Sequence, residues 1–586
     1  MRFLGNVLAT IVGLFVFIML FVFGIVLIGM LFGGESDEIS VKSNSVIELK
    51  LDEIKNDYAG KYNNPWVTEF SKGGKVGLSD VINAIEAAKT DSDIKGISIL
   101  NDESELGMAQ RKALRNALED FKKSGKFVMA YANSYSQKEY YLNSVANTIY
   151  INPVGDFDFK GLSAELMFFK DLQEKSGVKM EVIRHGKYKS AVEPFLENGM
   201  SDANREQTIS LLNAVWSSVL ADISKSRNIS VAKLNEIASG LLARTPEMAK
   251  SEKLVDVIAY EDEYHDAIKK ILKVDKDEDY NKTAILDYAQ KVATTSESND
   301  SNDKIAIIYA QGEIMSGEGD INTIGEISMN RSLIEARKDK DVKAIVLRIN
   351  SPGGNALTSD LIWREIELTK KVKPVVVSMG NYAASGGYYI ACNANKIFAE
   401  NNTITGSIGV FGILPNFTQL ATKIGIHTEQ VKTNENASEY SPFVPMDEKF
   451  KAVTLESVEK VYKTFISHVA KGRKMTIAQV DSIGQGRVWS GSQALKIGLV
   501  DKIGGLDAAI KEAALLGKTK KYSTQNFPEF EKDMSDLLKN FPFAKSKESF
   551  IKEELGEETY RLMQQIKKVQ ARKGVQAMMP FEINIQ

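Results

Sequence analysis

The chain has 586 residues, 43% of them hydrophobic, enough for roughly two to four domains with substantial cores. Its 74 basic and 77 acidic side chains leave a formal charge of −3, so no global charge points to a nucleic-acid partner. A single cysteine, Cys392, excludes an intrachain disulfide, and the four scattered histidines, His185, His265, His427 and His468, lack metal-ligand spacing.

The first predicted element is a membrane span. Residues 7–32 are apolar apart from Thr10, Gly13, Gly24 and Gly29, and no charge lies between Arg2 and Glu35. About 20 such residues cross a bilayer. The apolar run is too long for a cleaved signal peptide and lacks a small-x-small cleavage site. Arg2 before the span, with Glu35, Asp37 and Glu38 after it, predicts a signal anchor over 1–36 with the bulk of the chain outside the cytoplasm.

Beyond the span the sequence repeats itself. "DIKGISIL" from Asp93 matches "DVKAIVLR" from Asp341, an offset of 341 − 93 = 248. The same offset aligns Asn133 with Asn381, Tyr140-Tyr141 with Tyr388-Tyr389, Gly161 with Gly409, and Pro194-Phe195 with Pro442-Phe443. Two copies of one domain are therefore expected, over 45–290 and 304–515, joined by a polar linker at 291–303. Within each copy, β-branched runs such as "KAIVLRI" and "KPVVVSM" alternate with helix-period stretches such as "LTSDLIWREIELTKK", which indicates α/β domains with parallel, buried strands. From 516 to 586 the chain turns charged, and "GEETYRLMQQIKKVQARKG" predicts a helical extension. "VQAMMPFEINIQ" ends it in a more apolar stretch with no evident role.

Ligands of such folds favour loops at the carboxyl ends of strands, and two glycine-rich loops fall there in the second copy, "NSPGGNALTSD" and "NYAASGGYY". The N–H groups of Gly353, Gly354 and Gly386 suit an oxyanion hole beside Ser385, while a tight turn is the plainer use of such strings. A serine nucleophile needs a base, and no histidine recurs near either loop. A buried, neutral lysine is the remaining candidate.

The repeat sharpens this. Ser385 aligns with Gln137, and Gly353 and Gly354 align with Glu105 and Leu106, so the first copy lacks the loops. Lys189 of "HGKYKSAVEPF" aligns with Ala437, so the second copy lacks that lysine. Complementary losses suggest one composite site, although spacing alone does not separate it from a reading in which Lys187 and Lys189 are solvated loop lysines.

The N-terminal anchor, the tandem copies, "YKSAVEPF", "RINSPGGNALTSD", "NYAASGGYYIA" and "TGSIGVFG" together resemble the signal peptide peptidase A (protease IV) family in its long two-copy form, over most of residues 1–515. The resemblance implies two tandem crotonase/Clp-protease-like α/β domains after one transmembrane helix. It implies Ser385 as nucleophile, Lys189 as general base, Ser407 of "TGSIG" as the hydroxyl that orients the lysine, and the glycine loop with Gly386 as the oxyanion hole. It further implies a serine endopeptidase of the bacterial cytoplasmic membrane, single-pass, with its catalytic domains on the extracytoplasmic side. Its substrates would be released signal peptides and similar hydrophobic peptides; it would work as a homotetramer, without metal, nucleotide or other cofactor and without nucleic acid. A crotonase-like acyl-CoA enzyme, using the same N–H groups on a thioester enolate, and an inactive membrane scaffold are the alternatives.

Overall fold

The computed structural model describes Thr10 and residues 12–17, 19–21, 23–24, 40–62, 76–100, 104–297, 302–437, 440–530 and 575–579. The expected span over 7–32 therefore lies largely outside the described residues. Its described part is helical, and among the described residues no helix is long and apolar enough to cross a membrane.

The first copy contributes strands β1 (Ser45–Leu49), β2 (Ile94–Leu100), β3 (Phe127–Ala132), β4 (Thr148–Ile151), β5 (Lys179–His185), β6 (Val257–Ile258) and β7 (Lys282–Ala284). All but β5 form one sheet in the order β6-β4-β3-β2-β1-β7, with every pair parallel. Its helices include α1 (Leu78–Ala88), α2 (Met108–Lys122), α3 (Gln137–Asn143), α4 (Asp202–Arg227) and α5 (Ile285–Glu297). Strands buried on both faces explain the unbroken apolar runs: Ile97, Ile99, Val128, Ala130 and Ile149 pack with Leu114, Leu118 and Val81 from the helices.

The second copy repeats this plan. Strands β8 (Lys304–Gln311), β9 (Val342–Ser351), β10 (Gly353–Asn355), β11 (Val375–Ala384), β12 (Ile404–Gly406), β13 (Val410–Asn416), β14 (Val488–Ser490), β15 (Ser523–Phe527) and β16 (Gln576–Met578) accompany α6 (Glu326–Lys338), α7 (Ala356–Lys370), α8 (Gly386–Ala391) and α9 (Glu448–Arg473). The central sheet runs β14-β12-β11-β9-β8-β15, parallel except for β12 with β14. Helices α2 and α7 begin 356 − 108 = 248 residues apart and each spans fifteen residues, matching the sequence offset; by α4 and α9 it has drifted to 448 − 202 = 246.

Two expected boundaries shift. Helix α5 runs through the expected linker as far as Glu297, because Ile285, Tyr288, Ala289 and Val292 lie on one helical face and pack into the first core. The second sheet extends past residue 515, since β15 adds parallel to β8. The stretch that carries the helical expectation for the extension, 556–574, lies outside the described residues; the described part holds short strands at Ser523–Phe527, Glu529–Phe530 and Gln576–Met578.

A third, mixed sheet joins the copies. β5 of the first copy pairs antiparallel with β13 of the second, from His185 opposite Val410 to Lys179 opposite Asn416. A buried clamp reinforces the junction. Arg348 Nε on β9 lies 2.6 Å from Asp57 Oδ2, their side chains 4% and 2% exposed, and Gln110 Nε2 donates to Asp57 Oδ1. Arg348 Nη1 also donates to Ser378 Oγ and to the Met379 carbonyl, both on β11. A carboxylate of the first copy thus neutralises the arginine that ties the strand before the glycine loop to the strand before Ser385. Asn381 adds a second tie: its Oδ1 accepts from Ala109 N and Gln110 N at the start of α2.

Candidate active site

Ser385 stands between the end of β11 and the start of α8, at φ +54° and ψ −113°. A non-glycine residue in that region costs on the order of 1–3 kcal/mol, and such strain concentrates at functional positions. Bonds on both sides hold it: Ser385 N donates to the Gly406 carbonyl at 2.8 Å, and the Ser385 carbonyl accepts from Tyr389 N at 2.8 Å.

Lys189 arrives from the first copy, on the turn after β5 that leads into a short 3₁₀ segment, Ser190–Val192. It is fully buried. Its Nζ lies 3.0 Å from Ser385 Oγ, 3.0 Å from Ser407 Oγ and 3.2 Å from the Ser407 carbonyl, with the Phe411 ring alongside. Among the described residues no carboxylate pairs with it, and burial alone holds its pKa well below the ordinary lysine value of 10.5. Lys187, two residues earlier, is exposed and lies over the Tyr188 ring.

Ser407 follows β12 at φ +49°, and its N–H donates to the Arg487 carbonyl at 2.7 Å. Gly353 and Gly354, at φ +103° and +155°, form β10, a conformation open to glycine and strained for residues with a Cβ. A Cβ on Gly353 would lie 2.8 Å from Gly386 N, so the glycine loop and the residue after Ser385 converge. All six residues singled out in the sequence therefore meet in one buried place. Among the described residues, no cluster of three or more His, Cys, Asp or Glu side chains is suited to hold a metal ion.

Two features were not read from the sequence. Gly486, in "IGQGRVWS", packs on the lysine, since a Cβ there would lie 2.7 Å from Lys189 Cβ and Gly486 also has φ +80°. The density of glycines in that string was the available signal. The other is β16, which lies antiparallel between β10 and β13 and so fills the groove beside the glycine loop.

The arrangement has the parts of acyl transfer: a hydroxyl, a buried amine within hydrogen-bond reach of it, and converging backbone N–H groups. Comparison with known proteins agrees. The model of "Peptidase family S49" matches residues 120–275 and 367–520, once in each copy. "Protease 4" of Haemophilus influenzae is 37% identical over 451 residues, covering 75% of this chain and 73% of its own. "Serine protease SPPA, chloroplastic" of Arabidopsis thaliana is 32% identical over 512 residues, 85% of this chain and 73% of its own. A "Putative signal peptide peptidase SppA" of Enterococcus faecium is 34% identical over 252 residues, 42% of this chain and 72% of its own.

Proposed function

The chain belongs to peptidase family S49 and is a serine peptidase, and on that premise we propose that Ser385 is its nucleophile and Lys189 its general base. The observation that carries this reading is the 3.0 Å approach of a fully buried lysine amine to Ser385 Oγ across the junction of the two copies. As a neutral amine, Lys189 directs two N–H groups to the Ser407 carbonyl and Ser407 Oγ, which leaves its lone pair for the Ser385 hydroxyl proton. Ser407 is thus the residue that orients the base. Attack on a peptide carbonyl passes the proton to Lys189, the N–H groups of Gly354 and Gly386 stabilise the oxyanion, and Lys189 returns the proton to the leaving amine; the Gly353 N–H, expected to join them, donates instead to Ser351 Oγ at 3.1 Å. Water, deprotonated by the same amine, then releases the acyl group. The acyl-CoA alternative has no use for an amine buried against this serine.

An extended substrate peptide would take the strand position that β16 fills between β10 and β13, with main-chain bonds to both edges, once β16 vacates it. The substrates in this reading are released signal peptides and similar hydrophobic peptides, supported by the apolar residues around Ser385 and by the name of the Enterococcus relative. The two copies are read as crotonase/Clp-protease-like units, held by residues 1–36 on the extracytoplasmic side of a bacterial cytoplasmic membrane. Exposed apolar side chains on the described part of that segment, Leu14, Phe15, Phe17, Leu20, Phe21 and Phe23 among them, support the anchor. Homotetrameric assembly rests on the family likeness alone.

The test is hydrolysis of a synthetic signal peptide by the purified full chain. Ser385→Ala and Lys189→Ala are expected to lower kcat by about 10⁴-fold or more, as when one member of a catalytic unit is removed. Lys187→Ala is expected to leave it within about twofold, as for an exposed side chain. Full activity in Ser385→Ala refutes the assignment.

A further inference from the structure

Lys189 stands at the apex of a tight turn. Its backbone, at φ −76° and ψ 70°, is that of an inverse γ-turn, which Ser190 N closes by donating to the Tyr188 carbonyl at 2.8 Å. A turn this small fixes the start of a long side chain only if its flanks are held. Arg184 Nη1 makes a long bond to the Lys189 carbonyl, 3.4 Å, and the closer support comes from α4. Gln207 Nε2 donates to the Tyr188 carbonyl at 3.1 Å and to Ser190 Oγ at 2.7 Å, gripping the residues on either side of the lysine. Its Oε1 accepts from Val488 N on β14, at 3.4 Å. Val488 follows Arg487, whose carbonyl accepts the Ser407 N–H. Gln207 therefore spans the turn that carries the base and the strand that holds the base's own partner.

Packing alone does not call for a glutamine there. Gln207 is 1% exposed and shares its helical face with the buried Leu211 and Val215, one and two turns on. An apolar residue would fill that place without a buried amide, which costs about 1–3 kcal/mol when its bonds are missing. Those bonds are made, and Asn204 steadies the amide: its Oδ1 lies 3.4 Å from Gln207 Nε2, and its Nδ2 donates to the buried Glu193 carboxylate at 2.9 Å. The repeat supplies a control. At the offset of 246 that matches α4 with α9, Gln207 corresponds to Val453, which is exposed, and Asn204 to Phe450, in the copy where Ala437 replaces the lysine. The glutamine is present where the lysine is and absent where it is not.

We propose that Gln207 is a positioning residue for the general base, setting where Lys189 Nζ meets Ser385 Oγ by clamping the backbone on both sides of the lysine. The proposal rests on the Ser385/Lys189 reading. Gln207 carries no charge, and its hydrogen bonds go to the turn, to Asn204 and to β14, so it acts on the amine only through the place the turn gives it.

The experiment follows hydrolysis of a synthetic signal peptide by the full chain from about pH 6 to 10, for the wild type, Gln207→Met, Ser190→Ala, Ser210→Ala and Lys189→Ala. Gln207→Met keeps the length of the side chain and removes its bonds. It is expected to lower kcat by about 10- to 100-fold, as a displacement of up to about 1 Å at a reacting group does. It is also expected to move the rising limb of kcat/KM up by about one pH unit, because a slackened turn lets water reach an amine whose pKa burial holds down. Ser190→Ala takes one partner from Gln207 without altering the packing at 207; it is expected to move both readouts the same way by less, and it carries the test if Gln207→Met does not fold. Ser210→Ala loosens the same helix from Gln493 and has no bond to the lysine turn, so it is expected to stay within about twofold of the wild type with its profile unmoved. Wild-type activity in Gln207→Met, or a loss of activity with the profile unmoved, overturns the proposal and, with Lys189→Ala inactive, leaves the dyad standing. Activity retained in Lys189→Ala removes the dyad reading and the proposal with it.

Discussion

Positions 137 and 385 occupy the same place in the two copies, at the start of the short helix after the third repeated strand, yet they are built differently. In the second copy Ser385 is held at φ +54° with its hydroxyl beside a buried amine. In the first, Ser136 caps the helix from an ordinary extended conformation, and Gln137 fills the site: its Nε2 donates to the Gly161 carbonyl and its Oε1 accepts from Lys160 N and Gly161 N. The two glycines of the oxyanion loop have counterparts in Glu105, exposed and paired with Lys55, and Leu106, which is buried. One scaffold thus carries a strained, open loop where chemistry is proposed and a relaxed, plugged one where it is not. The first copy retains its part through Lys189.

This contrast can be broken most severely by trying to move the nucleophile. Gln137→Ser in a Ser385→Ala background is expected to recover none of the roughly 10⁴-fold or greater loss, because the first copy lacks the glycine loop and Ala437 stands at the position that matches Lys189; peptide hydrolysis reads this directly. Next comes the clamp between the copies. Asp57→Ala leaves Arg348 charged and buried without its partner, an expected loss of about 3–5 kcal/mol measured by denaturant unfolding. The smallest effect probes the junction at the lysine itself. Gly486→Ala drives a methyl against Lys189 Cβ from a backbone at φ +80°, and a displacement of about 1 Å there is expected to lower kcat by about 10²-fold.

Much of this site was legible because the repeat gave each residue an internal control. A serine replaced by glutamine, glycines replaced by glutamate and leucine, and a lysine replaced by alanine at one constant offset reveal which features the shared fold does not require. The buried tyrosines follow the same logic: Tyr140 donates to the Leu254 carbonyl and Tyr388 to the Leu499 carbonyl, each at 2.9 Å, so their recurrence reflects packing. What stayed hidden lies between the copies or far along the chain. Asn381 matches Asn133 in sequence, but its role as a cap on α2 depends on how the copies dock. Asp57 finds Arg348 across 291 residues, and no local pattern encodes that pairing. The strand at 576–578 is three residues long, and its edges come from segments more than 150 residues away, so local periodicity favoured helix over the stretch before it and was silent on the strand itself.

The central claim is that a neutral lysine of one copy serves a serine of the other, and the pH dependence of kcat/KM tests it most directly. Burial lowers the pKa of Lys189, so the amine gains its catalytic form as pH rises through a value below 10.5. The expected profile for the full chain therefore climbs with pH along a single ionisation and levels off below the ordinary lysine range. A profile that falls steadily from about pH 6 to 9 while the protein remains folded contradicts a lysine base.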